Sequence, residues 1–144
     1  ASLASQLPET NTTPELPDIN GKMISVASLK GKYVLVSFWS TAAPEAMNEL
    51  PLLRSLYDEY HSKGLEIFQV SLDPDVERWK RIVRFEEIPW ISVREADPLN
   101  PVYSRLMNIT SLPANLLYDR EGQIINTNLT GRNLQIRMDQ IFNK

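Results

Sequence analysis

Two stretches of the chain are apolar almost without interruption. Lys32 to Trp39 (KYVLVSFW) and Leu65 to Leu72 (LEIFQVSL) are rich in β-branched and aromatic residues. That is the composition of strands buried on both faces, hence central and parallel. Between them Met47, Leu50, Leu53, Leu56, Tyr57 and Tyr60 recur at steps of three and four, which predicts an amphipathic helix over Pro44 to His61. Pro44 suits the first turn, where a missing N–H costs nothing. Pro51 predicts a kink inside the helix, and Lys63-Gly64 its end. A second helix is expected from Asp75 to Phe85, with Val76, Trp79, Ile82 and Val83 on one face and Asp73 as a candidate cap. Trp90 to Val93 reads as a short strand and Pro98 to Met107 as a short helix or turn. Asn115 to Tyr118 and Gln123 to Asn128 read as a hairpin around the Asp119–Gly122 turn. Gly131 to Phe142 closes the chain as a helix bearing Leu134, Met138, Ile141 and Phe142. The order β-α-β, helix, strand, β-β-α predicts an α/β fold: a mixed central β-sheet flanked by helices on both faces.

The 144 residues fit one domain. Residues 1–16 read as a flexible polar tail or linker punctuated by Pro8 and Pro14, and residues 17–144 as the domain. The tail lacks the basic and apolar segments of a signal peptide and suits a stretch that follows a removed signal or anchor. No apolar run reaches the ~18 residues of a membrane span. A net charge of −3 offers no basic field for nucleic acid or an anionic membrane.

The chain has no cysteine and a single histidine, His61. That removes a disulfide framework, a Cys-type zinc site, an iron–sulfur cluster and a cysteine nucleophile. One histidine argues against a His-based metal site or a Ser–His triad. Asp73, Asp75 and Asp97 lack calcium-loop spacing. No metal and no cofactor is expected. Asn11-Thr12-Thr13, Asn108-Ile109-Thr110 and Asn128-Leu129-Thr130 match the N-glycosylation pattern, a weak signal by itself.

The stretch Pro17 to Trp39, PDINGKMISVASLKGKYVLVSFW, resembles the opening of the bacterial extracytoplasmic thiol–disulfide oxidoreductases of the TlpA and ResA type, allied to the AhpC/TSA branch. Ile109 to Ile125, ITSLPANLLYDREGQII, is similar to that family's cis-proline segment. The resemblance covers about Pro17 to Phe142. It implies a thioredoxin-like fold and a bacterial cell-envelope or periplasmic setting, with any anchor lying upstream of Ala1. It also implies a cis bond before Pro113 and an extended peptide or protein partner beside it. Family members place Trp-Cys-x-x-Cys where this chain has Ala42-Ala43-Pro44-Glu45-Ala46.

That departure decides the chemistry. A helix N-terminus depresses a cysteine pKa from about 8.5 to about 7 or below, and the thiolate attacks a disulfide that a second thiol then resolves. The methyl groups of Ala43 and Ala46 do neither. Divergence and deliberate replacement of two cysteines both produce this pattern; the alanine at position 42, where the family has Trp, favours divergence. What is left is a binding or structural module, with a candidate binding cleft of Ala42, Ala43, Pro44, Glu45, Ala46, Leu112 and Pro113. Glu49 matches a glutamate that tunes the thiols in the family, and here reads as a helix carboxylate. Glu45 favours the helix dipole. His61 reads as a helix-end residue, and Trp39, Trp79 and Trp90 as core.

Overall fold

The computed structural model describes residues 13–143. Residues 1–12 of the expected tail, with Asn11, and Lys144 at the other end lie outside the described residues. The folded chain begins with two short strands, β1 (Leu16–Pro17) and β2 (Met23–Ile24), paired antiparallel. Leu16, read from sequence as tail, is 3% exposed, and the Thr13 hydroxyl accepts the N–H of Ala27 at 3.3 Å. Ordered contacts therefore reach back past Pro17.

After a 3-10 turn at Val26–Leu29 come β3 (Tyr33–Trp39), α1 (Pro44–Met47), α2 (Leu50–Tyr60) and β4 (Leu65–Ser71). Then follow α3 (Val76–Phe85), β5 (Ile91–Arg94), α4 (Tyr103–Leu106), β6 (Ala114–Tyr118), β7 (Ile124–Thr127) and α5 (Gly131–Phe142). The main sheet runs β5-β4-β3-β6-β7. Its β3, β4 and β5 are parallel, β6 is antiparallel to β3, and β7 to β6. The expected mixed sheet is present.

Alternation along the strands sorts side chains to two cores. Val34, Val36 and Phe38 share one face with Phe68, Val70, Val93, Leu116 and Tyr118, covered by Leu16, Val26, Tyr103 and Met107. Leu35, Trp39, Leu65, Ile67 and Leu117 face the other way, under Leu50, Leu53 and Leu56 of α2, Trp79 and Val83 of α3, and Leu134 and Met138 of α5. The registers Ser92↔Gln69↔Ser37↔Asn115 put four buried polar residues in one row across this second face. The Trp90 indole N–H donates to Gln69 Oε1 at 2.9 Å.

The first long helix differs from expectation. It is two helices, α1 and α2, with the break at Asn48–Glu49 and Pro51 in the first turn of α2. Pro51 has no N–H to give the Met47 carbonyl, so the ladder lapses one turn before the proline. The backbone stays right-handed through the break, with φ −67° at Asn48 and −81° at Glu49. The α2 segment ends through a 3-10 turn at Gly64, φ +110°. A side chain at Gly64 would also strike the Arg120 guanidinium, 2.8 Å from the position of a Cβ. Gly122, φ +86°, closes the β6–β7 hairpin.

The hydroxyls of Tyr103 and Tyr118 are hydrogen-bonded at 2.7 Å with both rings buried, which ties α4 to β6. Burial pushes the Tyr118 phenol up to about 12 and Tyr103 well above its ordinary value of 10. An unfolded tyrosine ionises near pH 10, so the fold holds these protons more tightly than the unfolded chain. Their contribution to stability is complete below pH 10 and is lost as pH rises towards 12. Urea midpoints at pH 7 and pH 11 should show that decline, and Tyr103→Phe with Tyr118→Phe should lessen it, leaving the part due to Tyr60, likewise pushed up to about 12 by burial. Tyr118→Phe alone should cost about 1–3 kcal/mol at pH 7 by stranding the Tyr103 hydroxyl.

Candidate functional site

The C-terminal ends of β3, β4 and β5 lie at one end of the sheet, and the start of β6 meets them there. Register pairs Phe38 with Ala114, so Pro113 comes level with Trp39. From Trp39 the chain passes through Ser40–Ala43 into α1. The two predicted halves of the site, Ala42–Ala46 and Leu112–Pro113, thus emerge side by side from neighbouring strands. The Leu112–Pro113 peptide bond is cis.

A carboxylate holds the turn between β3 and α1. Asp73, 2% exposed, accepts from the Ser40 hydroxyl at 2.9 Å, the Thr41 N–H at 2.9 Å, the Thr41 hydroxyl at 2.8 Å and the Ser71 hydroxyl. Arg78 Nε donates to Thr41 Oγ1 at 3.1 Å, and Arg94 Nε to the Asp73 carbonyl at 2.7 Å. Asp73 therefore does not cap α3, as the sequence suggested. Asp75 does, accepting the N–H of Arg78 at 3.1 Å. The reason is position: Asp75 immediately precedes the helix, whereas Asp73 leaves β4 pointing at the neighbouring turn.

Ala43 is the N-cap of α1, with extended backbone (φ −103°, ψ 106°) and no side-chain oxygen to accept a helix N–H. Pro44 is in the first turn, and Glu45 is exposed beside it. Ala42 is exposed and Ala43 half-buried, while Ala46 is 1% exposed and packs in the core with Trp39 and Leu50. The mouth of the helix is thus lined by carbon. Leu112 and Pro113 are half-buried. Glu49 lies at the α1–α2 break, and burial raises its carboxyl above the ordinary 4.5.

The other candidates lie in structural roles. His61 stacks on Tyr57 with ring centroids 4.3 Å apart, and its Nε2 is 3.7 Å from Glu66 Oε2. Trp39, Trp79 and Trp90 are buried. Among the described residues no three acidic or histidine side chains cluster as a metal site requires, and no helix is long and apolar enough to cross a membrane.

Two features escaped sequence reasoning. Buried Glu95 caps α4, its Oε1 accepting the N–H of Val102 at 3.0 Å and its Oε2 the N–H and hydroxyl of Ser104 at 2.8 Å each. The chain that leaves α4 then walls a cavity of about 330 Å³ that Pro113 also lines. The Glu95 role carried a faint signal, an acidic residue before a short helix. The cavity carried none, since loop residues far apart in sequence form it.

These features define a thioredoxin-like α/β domain whose redox positions hold alanine. The chain belongs to the AhpC/TSA family, whose family model matches residues 7–129. Among curated proteins it is similar to thiol-disulfide oxidoreductase ResA of Bacillus cereus, 28% identical over 109 residues, 75% of this chain and 61% of the relative. ResA of Halalkalibacterium halodurans is 28% identical over 122 residues, 84% of this chain and 67% of the relative. The chain spans about three fifths of the length of the first of these relatives. Among solved structures, the thioredoxin domain of thiol-disulfide oxidoreductase BVU-2223 from Bacteroides vulgatus superposes with TM-score 0.84 at 29% identity, covering 95% of this chain and 99% of that one. The C-terminal domain of a putative thiol-disulfide oxidoreductase from Bacteroides thetaiotaomicron gives 0.85 at 26% identity, covering 97% and 98%.

Two stability measurements probe the site. Asp73→Ala removes the acceptor of four donors and should cost about 3 kcal/mol or more in urea unfolding. Glu49→Gln tests the half-buried carboxyl. Its raised pKa means the fold prefers the neutral form, so the charged form costs stability above the folded pKa. Glu49→Gln should raise the unfolding midpoint at pH 7 and leave it unchanged near pH 2–3, well below the ordinary glutamate value of about 4.3, where Glu49 is protonated in both states.

Proposed function

We propose that this chain is a binding domain of the thiol–disulfide oxidoreductase family that performs no thiol–disulfide exchange and receives an extended polypeptide at the cleft between Ala42–Ala46 and Leu112–Pro113. The observation that carries the reading is the carbon lining of the helix mouth, with Ala46 buried where exchange requires sulfur. The frame around it is intact: Asp73 pins the turn, and the cis bond precedes Pro113 beside it. Extended chains commonly bind such positions by adding a strand. The resemblance and the bacterial relatives support a cell-envelope or periplasmic location.

A second reading is a thiol–disulfide oxidoreductase of the ResA type whose two cysteines were replaced. Its support is the same intact frame, which would suit a dithiol at positions 43 and 46.

Insulin reduction separates the two. The chain itself should not turn over dithiothreitol-driven insulin reduction above background, and turnover at rates typical of active relatives would overturn the proposal. Ala43→Cys with Ala46→Cys should remain inert if the domain has diverged to binding; restored reduction supports the second reading. Amide NMR with extended peptides completes the test: shifts should cluster at Ala43 to Ala46, Leu112 and Ala114. Shifts confined to other surfaces would count against cleft binding.

A further inference from the structure

The lining of the cavity beside Pro113 is chemically selective. Its floor is buried and apolar: Met107, Ala114 and Leu116. Its rim carries the neutral side chains of Asn108, Thr127 and Asn128. Asn108 and Asn128 have φ +59° and +53°, a left-handed backbone that asparagine tolerates better than most residues. Backbone geometry therefore accounts for two carboxamides at one mouth, whatever they go on to bind. No Asp, Glu, Lys, Arg or His lines the cavity. A volume of about 330 Å³ is at the small end of ligand sites, the scale of one side chain with room to turn.

The second observation lies in the backbone. Thr110, Ser111 and Leu112 run directly into Pro113, and Thr110 and Ser111 also line the cavity. Among the described residues, no hydrogen bond engages the N–H or C=O groups of these three. An extended chain laid along them would find unpaired donors and acceptors. Side chains of such a chain alternate between its two sides, so one of them faces the cavity.

We infer that the cavity is a side-chain subsite, selecting an uncharged, apolar residue in a polypeptide that pairs with Thr110–Leu112; the inference rests on the cleft-binding reading above. The apolar floor rewards a leucine or phenylalanine. A carboxylate or ammonium entering there would lose water and meet no counter-charge, which is costly.

The test is a series of capped pentapeptides, acetyl-Thr-Thr-X-Thr-Thr-amide with X as Leu, Phe, Asp or Lys, titrated into the ¹⁵N-labelled chain. Leu and Phe peptides should shift the amides of Ser111, Leu112, Thr127 and Asn128, and should bind at least about tenfold more tightly than Asp or Lys peptides. Asn108→Asp keeps a residue that tolerates the left-handed backbone and puts a carboxylate at the mouth. It should weaken the Leu peptide and strengthen the Lys peptide. Equal binding of all four peptides with shifts at Leu112 would overturn the subsite while leaving strand addition standing. No shift at Leu112 at millimolar peptide would overturn both.

Discussion

The buried carboxylate of Asp73 is the constraint on which the geometry of the site depends. A carboxyl group with 2% of its surface exposed is tolerable only if hydrogen-bond partners surround it. Here they come from Ser40 and Thr41 on the β3–α1 turn and from Ser71 at the end of β4. The carboxylate thereby fixes where α1 starts relative to its neighbouring strand. None of its donors is a side chain of Ala42, Ala43 or Ala46. The mouth of the helix is consequently held by a polar network that does not involve the positions where redox relatives carry sulfur. The support of the scaffold thus does not depend on what side chains stand at positions 43 and 46.

The opposite wall is held independently. Glu95 caps the start of α4, the Tyr103–Tyr118 pair fastens that helix to β6, and the β3–β6 register fixes the level of Ala114. Between these anchors the chain from Asn108 to Pro113 is free of ladder bonds. The unpaired backbone is Thr110–Leu112, since the Asn108 and Ile109 N–H groups still donate to Arg105 and Ser104. The exposed Leu99, Val102 and Leu106 lie on the same connection, between β5 and β6, but nothing in the structure indicates what covers them.

Much of this architecture was legible in the sequence, for a physical reason in each case. β3 and β4 stood out because burial on both faces demands near-continuous apolar residues. α5 stood out because one stripe faces the core. β1 did not, because two residues, one of them proline, make no pattern, although Leu16 is fully in the core. The break at Asn48–Glu49 was displaced by a turn because proline acts on the carbonyl four residues before it. Asp73 was read as the cap of a helix starting at Asp75, but Asp75 is the cap; the burial of Asp73, which sequence spacing does not encode, sends its carboxyl elsewhere. At the site, the positions of Ala43, Ala46 and Pro113 followed from motif alignment, whereas the cavity required knowing that residues near 108 and near 128 converge.

The electrostatics of the helix mouth bear on the binding reading proposed above. A helix N-terminus favours negative charge, and in a redox enzyme that preference acts on a thiolate. Here the extended Ala43 cap contributes no oxygen and Pro44 no N–H, while the nearby acid, Glu45, is exposed to water. Glu49, the next acid along, is raised rather than lowered in pKa because burial outweighs any charge stabilisation there. Neither acid can take the part of a thiolate in disulfide exchange, and the chain has no cysteine. On the binding reading proposed above, what the mouth offers is shape: two methyl-lined positions, a proline ring and an unpaired stretch of backbone, complementary to a chain that arrives extended and leaves chemically unchanged.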